Sequence, residues 1–309
     1  MSPPATTTGQ LASRLVPPLV SLATDLLSRA RVHARPRSRL RALVPHGARH
    51  TTALGWGDLD DRPLSGSSIH EALESHEGHL VHKWRHYPDV YAELLTPWRA
   101  GFVEADGTTR PLRLLEIGVS EGGSLELWRR WFGADATIVG IDIDETCAGI
   151  VDPSVATVRI GSQADPAFLR QVVADMGGVD VVIDDGSHVA SHQRTSLETL
   201  WPLLTDGGLY LCEDTHTAYW PAFDGGLRRR GTAIEVAKDL VDDLHRWYYR
   251  TAGSDTASAP KWPDLWSVTF HDSIISLRKR TRERPTRVAR GSTVRPEGQW
   301  GGSAASERS

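Results

Sequence analysis

From residue 112 onward, short unbroken apolar runs alternate with stretches in which apolar residues return every three or four positions. The runs are LRLLEIG (112–118), ATIVGIDI (136–143), ATVRIG (156–161), VDVVID (179–184) and LYLCED (209–214). Continuous hydrophobicity over four to eight residues marks strands buried on both faces, as in a parallel sheet. Between them SLELWRRWF (124–132), DPAFLRQVVADM (165–176) and HQRTSLETLWPLL (192–204) carry helical spacing. Asp165 is placed to cap the second of these, with Pro166 at its first position. The third closes at the turn TDGG, a long helix follows over 232–250, and residues 266–280 read as a closing strand pair. Strands that alternate with helices imply crossovers, hence parallel strands with helices on both faces. The expected fold is α/β and Rossmann-like, a mostly parallel seven-stranded sheet.

Upstream, residues 77–100 read as a helical segment rich in His and Trp. Residues 51–75 are polar with Gly and Ser clusters and read as a linker. The tail from about 282 has no apolar periodicity and is expected to be disordered. The predicted organisation is a weakly ordered leader and linker over 1–76, one domain over 77–281, and a tail over 282–309.

Composition and charge narrow the class. A chain of 309 residues, 39% of them hydrophobic, can build one large α/β core. A net charge of -4 argues against a general nucleic-acid binder. No run of 18 apolar residues exists, so no transmembrane segment is expected. The two cysteines, Cys147 and Cys212, form no C-x-x-C, which argues against a thiolate metal site or a disulfide framework and fits a cytoplasmic location. The first fifty residues hold eight arginines and no lysine against one acid, Asp25. Leu11, Leu15, Leu19, Leu22 and Leu26 recur there at roughly helical spacing. In a secretory signal the positive charge precedes the apolar stretch, and here it follows. An unordered appendage, a transit-like leader, and an amphipathic helix that docks on a partner or membrane surface all stay open.

The first strand runs into Glu116-Ile-Gly118-Val-Ser-Glu-Gly122-Gly123 ahead of a helix. In open α/β sheets ligands bind at the carboxyl ends of the strands. A dinucleotide fingerprint would need glycine where Ser120 stands, and a P-loop would need a lysine that the turn lacks. The turn therefore suits a ligand without phosphate. Gly118 and Gly122 let the chain bend around an amino-acid moiety, with Glu116 near its ammonium. Asp142 ends the second strand, where an acid accepts hydrogen bonds from ribose hydroxyls. Ser162 and Gln163 follow the third strand, within reach of an adenine edge, and Asp184 is expected to face the same ligand. An adenosyl group bearing an amino acid and no phosphate is S-adenosylmethionine.

The fourth strand ends in Asp184-Asp185-Gly186-Ser187-His188 and the fifth in Glu213-Asp214. Neighbouring strand ends would crowd these acids together, and like charges persist at close range when a cation binds them. Oxygen ligands select a hard ion, Mg²⁺ first, with Mn²⁺ or Ca²⁺ as substitutes. Asp185, Glu213 and Asp214 are the expected ligands. His188, three residues beyond Asp185, is the expected general base, with His192 its rival.

LLEIGVSEGGSLELW, VGIDID, VDVVIDDGSHVASHQRTSLETLWPLL, GGLYLCEDTHTAYWPAFDGG and LWSVTFHDSIISLRK resemble the macrolide sugar O-methyltransferases. The pattern is also similar to the cephalosporin hydroxylase family, which shares the D-D-G-S-H and E-D elements. The resemblance covers roughly 77–280, and its specific part is D-D-G-S-H with a downstream E-D-x-x-x-x-Y-W. It implies a class I methyltransferase fold, S-adenosylmethionine as methyl donor, and Mg²⁺ held by Asp185, Glu213 and Asp214 with His188 as base. It also implies a glycosylated small-molecule acceptor, as in antibiotic biosynthesis, and a homo-oligomer. The Arg-rich leader departs from those enzymes, which carry a larger N-terminal part that helps form tetramers. Two rivals remain: an oxygenase-associated or accessory protein, and a non-catalytic partner. A non-haem iron site would want two histidines and one carboxylate.

Overall fold

The computed structural model describes residues 62–64, 66–249 and 260–291. The chain divides into two units, Met1–Asp61 and Arg62–Ser309. The first, with the basic leader and its leucines, lies outside the described residues, as does the tail beyond 291.

The second unit runs α1 (Ser68–Glu74), α2 (Tyr87–Leu95), β1 (Phe102–Val103), β2 (Thr109–Arg110), β3 (Arg113–Ile117), α3 (Gly123–Phe132), β4 (Thr137–Asp142) and β5 (Thr157–Ile160). It continues through α4 (Pro166–Asp175), β6 (Val179–Asp184), α5 (Ala190–Leu200), β7 (Leu204–Cys212), α6 (Ala233–Leu244), β8 (Leu265–His271) and β9 (Ile274–Lys279). β1 and β2 form a small hairpin. The other seven strands make one sheet in the order β5-β4-β3-β6-β7-β9-β8. β3 to β7 are mutually parallel; β9 is antiparallel to β7 and β8 to β9. The chain leaves β3 outward to β5 and returns to β6 on the other side, so the strand order reverses between β3 and β6. Such a switch point opens a crevice at the carboxyl edge.

Alternation along the strands sends side chains to two cores. Leu114, Ile138, Val181, Ile183, Leu209 and Leu211 pack with Trp128 of α3 and Tyr87, Val90, Tyr91 and Leu95 of α2. Leu115, Ile117, Val139, Ile141, Val182 and Tyr210 pack with Leu169 of α4, Leu197 of α5 and Leu240 of α6. Helices therefore cover both faces. At the amino edge, the fully buried Asp180 accepts from both guanidinium nitrogens of Arg110 (2.6 and 2.7 Å), from Arg113 (2.9 Å) and from Thr205 (2.7 Å). These bonds hold the Asp180 carboxyl near 2, against its burial.

Several boundaries differ from the sequence expectation. The supposed linker contains α1, whose capping box pairs Ser67 with His70. The supposed helix over 77–100 is helical only from Tyr87, with Pro88 in its first turn, where a missing N–H breaks no helical bond. The TDGG turn is part of β7, because Thr205 bonds the Val179 carbonyl and keeps the pairing with β6 through a register shift. The helix after residue 232 ends at Leu244. Residues 282–290 carry no regular structure, yet Arg282 donates to the Pro263 and Leu244 carbonyls. Both cysteines are buried free thiols. Among the described residues no helix is long and apolar enough to cross a membrane.

Candidate active site

Parallel pairing continues one residue past each central strand. Gly118 donates to the Ile141 carbonyl (2.8 Å), Gly161 to Asp142 (2.8 Å), Asp185 to Ile117 (2.9 Å) and Glu213 to Asp184 (2.9 Å). The turns that follow therefore start level, at one edge of the sheet. Ser120, His188 and Asp214 then take left-handed backbone angles, φ 50°, 58° and 51°, which turn the chain sharply out of the sheet. Gly118 has φ 94°, and a Cβ there would lie 2.2 Å from the Asp185 carbonyl oxygen. Only glycine lets the first turn pass this close to the acid turn.

Asp185, His188 and Asp214 each turn one ligand atom to a common point, all within 4.8 Å of one another. His188 Nε2 is 3.7 Å from Asp214 Oδ2 and 4.0 Å from Asp185 Oδ1. These gaps are too long for direct hydrogen bonds. Ligands at 2.0–2.1 Å around an octahedral Mg²⁺ lie about 3–4 Å apart, so the spacing and the carboxylate donors fit a small hard cation. The other Asp214 oxygen, Oδ1, accepts from Tyr87 Oη (2.6 Å) and Trp84 Nε1 (3.1 Å), which fixes the carboxylate plane.

Glu213 is brought to the same edge but faces the interior. It is fully buried; Oε1 accepts from Tyr91 Oη (2.7 Å) and Oε2 from Lys83 Nζ (2.8 Å). Lys83 also donates to Asp185 Oδ2 at 2.5 Å, and its side chain is only 4% exposed. Burial pulls the ammonium down, but Asp185 and Glu213 outweigh it and keep Lys83 charged. Burial pushes the Glu213 carboxyl above its ordinary range, offset in part by Lys83. Sequence reasoning missed Lys83, Trp84, Tyr87 and Tyr91. Tyr87 and Tyr91 stand four residues apart in α2, the spacing that puts two hydroxyls on one helix face. Lys83 carried no such signal.

The residues expected to meet a methyl donor divide in two. Gly118, Gly122, Asp142 and Ser162 are at the carboxyl edge. Gly122, φ 82°, caps α3, and Asp142 Oδ2 accepts from the Val119 and Ser120 amides (2.9 and 3.0 Å), holding the glycine turn. Oδ1 accepts the Asp144 amide (2.9 Å), and this half-buried carboxylate, with two lone pairs on each oxygen, keeps capacity for a hydroxyl. Glu116, Gln163 and Asp184 are buried and bonded to protein partners. Glu116 accepts from Ser124 Oγ (2.8 Å) and Trp128 Nε1 (2.9 Å), and burial lifts it to about 7. Gln163 donates to Asp184 Oδ1 and Ser196 Oγ and accepts the Ser187 amide. Asp184 also accepts from Tyr210 Oη (2.6 Å), and burial raises it to about 6. These three brace the turns from behind. His192 is bonded to Ser187 Oγ (2.9 Å), outside the acid cluster.

A strap, residues 76–86, crosses the front. His76 and His79 bind Glu126 of α3, and Lys83 and Trp84 reach the acids. Opposite it, His216 stacks edge-on against Trp84 and Trp220, and Phe223 lies 6.2 Å from the His188 ring.

Known proteins are similar to this chain in sequence and fold. Residues 115–215 match a family model described as a methyltransferase domain. The 8-demethyl-8-α-L-rhamnosyl tetracenomycin-C 2'-O-methyltransferase of Streptomyces olivaceus is 35% identical over 212 residues, 65% of this chain and 53% of that enzyme. Demethylmacrocin O-methyltransferase of Streptomyces fradiae is 36% identical over 170 residues, 52% of this chain and 42% of that one. The solved MycE methyltransferase of the mycinamycin pathway, in complex with Mg, SAH and mycinamycin VI, is 28% identical with a TM-score of 0.55, over 68% of this chain and 52% of that one. This chain has the fold of the class I methyltransferases and is similar in sequence to sugar O-methyltransferases. It spans about half the length of the curated relatives it matches.

Proposed function

We propose that this chain transfers a methyl group from S-adenosylmethionine to a sugar hydroxyl of a glycosylated secondary metabolite, with a divalent metal at the acid cluster. The observation that carries this reading is the convergence of Asp185, Asp214 and His188 on one point beside the Gly118–Gly122 turn. The relatives named above act on rhamnosyl and macrolide acceptors, which favours a sugar hydroxyl.

When bound, Mg²⁺ would orient and acidify the acceptor hydroxyl, and the sulfonium would supply an electrophilic methyl. Asp185 and Asp214, with Glu213 behind them, are the residues to hold the cation. Tyr87 and Trp84 keep Asp214 from rotating, so its Oδ2 stays aimed at the cluster. His188 Nε2 takes the hydroxyl proton, with Asp214 at 3.7 Å to stabilise the imidazolium that forms. Asp142 accepts a ribose hydroxyl, and Ile143 beside it, 73% exposed, offers an apolar face to the adenine. Tyr219, 45% exposed, with Trp220 and Phe223, offers aromatic faces for a sugar ring. The donor set disfavours the oxygenase reading, since the cluster found among the described residues holds one histidine and two carboxylates.

The test is methyl transfer from labelled S-adenosylmethionine to 8-demethyl-8-α-L-rhamnosyl tetracenomycin C, demethylmacrocin and mycinamicin VI, with Mg²⁺ and after EDTA. Labelled product from at least one acceptor, lost with EDTA and restored by Mg²⁺, is expected. Full activity in EDTA would remove the metal, and no transfer together with no S-adenosylmethionine binding would remove the whole reading.

A further inference from the structure

Lys83 donates to two of the three carboxylates that the metal reading needs. Its ammonium sits 2.5 Å from Asp185 Oδ2 and 2.8 Å from Glu213 Oε2, closed off from solvent. We propose that Lys83 is a built-in cation that competes with the divalent metal for Asp185 and Glu213, so that metal loading and withdrawal of the Lys83 ammonium are one event while Trp84 stays on Asp214. This rests on the metal reading above and goes beyond it.

Three observations carry the exchange. First, an ammonium and a divalent ion repel, and each attracts the same oxygens. With Lys83 in place, only Asp185 Oδ1, Asp214 Oδ2 and His188 Nε2 are left facing the common point. Glu213 can join the ion only if Lys83 gives it up. Second, the other Glu213 oxygen accepts from the buried Tyr91 hydroxyl (2.7 Å), which fixes the carboxylate and leaves the lysine as the partner able to swing away. Lysine suits this use because it is a compact charge on a flexible stem.

Third, the strap is fastened at both sides of Lys83, with exposed residues between. Upstream it is held by His76 and His79 on Glu126, with the His79 and Leu80 carbonyls pressed against Gly123, where a Cβ would lie 2.4 Å away. Downstream it is held by Trp84 on Asp214 and by α2. Leu80 is 60% exposed and His82 is exposed, so of residues 80–82 it is Val81 that packs against the core.

The experiment is Mn²⁺ binding by calorimetry and EPR to the whole protein, compared for wild type, Lys83→Met and Lys83→Arg. Removing the competing charge should lower the Mn²⁺ dissociation constant at least tenfold in Lys83→Met, while Lys83→Arg stays within about threefold of wild type. Hydrogen exchange on wild type supplies a measurement that needs no variant: saturating Mn²⁺ should speed exchange in peptides covering 79–86. Equal or weaker Mn²⁺ binding by Lys83→Met, or unchanged exchange in that segment, would overturn the competition and leave the metal reading intact. No Mn²⁺ binding by wild type or Lys83→Met would overturn both.

Discussion

His188 holds its ring at the acid cluster through a backbone angle of φ 58°, which few residues other than glycine, asparagine and aspartate adopt readily. Asparagine is therefore the informative replacement, since it tolerates the turn but cannot take a proton. His188→Asn should lower kcat by about 10²–10⁴-fold with little change in S-adenosylmethionine affinity. Kinetics with a titrated methyl donor would check this, and a variant with wild-type turnover would remove the base. At this scale the sequence was readable where chemistry sits next to a strand end. Asp185, His188, Glu213 and Asp214 were found because each follows an apolar run. Lys83 was not, because only tertiary packing brings it 102 residues along the chain to Asp185. That Glu116 turns to the interior could have been read from the pattern. Glu116 shares the two-residue alternation of Leu114, which points into the core that holds Trp128.

Among the elements, the five parallel strands and the closing pair could be placed from their apolar runs to within a few residues. Helix starts were harder, because residues 76–86 have a helical composition yet spend their side chains on Glu126 and the acids. The most constrained junction lies between β3 and β6. Gly118→Ala would force a side chain onto the Asp185 carbonyl at an unfavourable φ, with a cost of at least 1–3 kcal/mol. The expected result is a lower melting temperature and a loss of both S-adenosylmethionine and Mn²⁺ binding, because the two turns move together. Separate binding titrations would show it; loss of one ligand alone would mean that the turns are independent.

For the whole molecule, the buried carboxyls set a pH trend in stability. Burial raises Glu116 from an ordinary 4.5 to about 7. The folded state then holds its proton more tightly than the unfolded one, so this stability is full below pH 4.5 and is lost as pH rises through 7. Glu116→Gln can keep contacts with Ser124 and Trp128 without the charge. Its stability relative to wild type should climb between pH 5 and pH 8 by about 3 kcal/mol, from 1.36 kcal/mol per pKa unit. Thermal melts across that range test it, and a flat difference would show that Glu116 ionises freely in the fold.

The segment recognised by family likeness, 115–215, stops short of much that makes the crevice work. Ser273, in the turn between β8 and β9, accepts the Thr215 amide through its carbonyl, and its hydroxyl meets His216 Nδ1 at 2.5 Å and Tyr87 Oη at 3.1 Å. Lys83 and Tyr91 arrive from the other flank. A fragment trimmed to the recognised stretch would keep the acids and the glycine turn but lose the walls that aim them. It would leave β7 as a bare sheet margin open to self-association. What is shared most widely within this fold is thus the part least able to stand by itself.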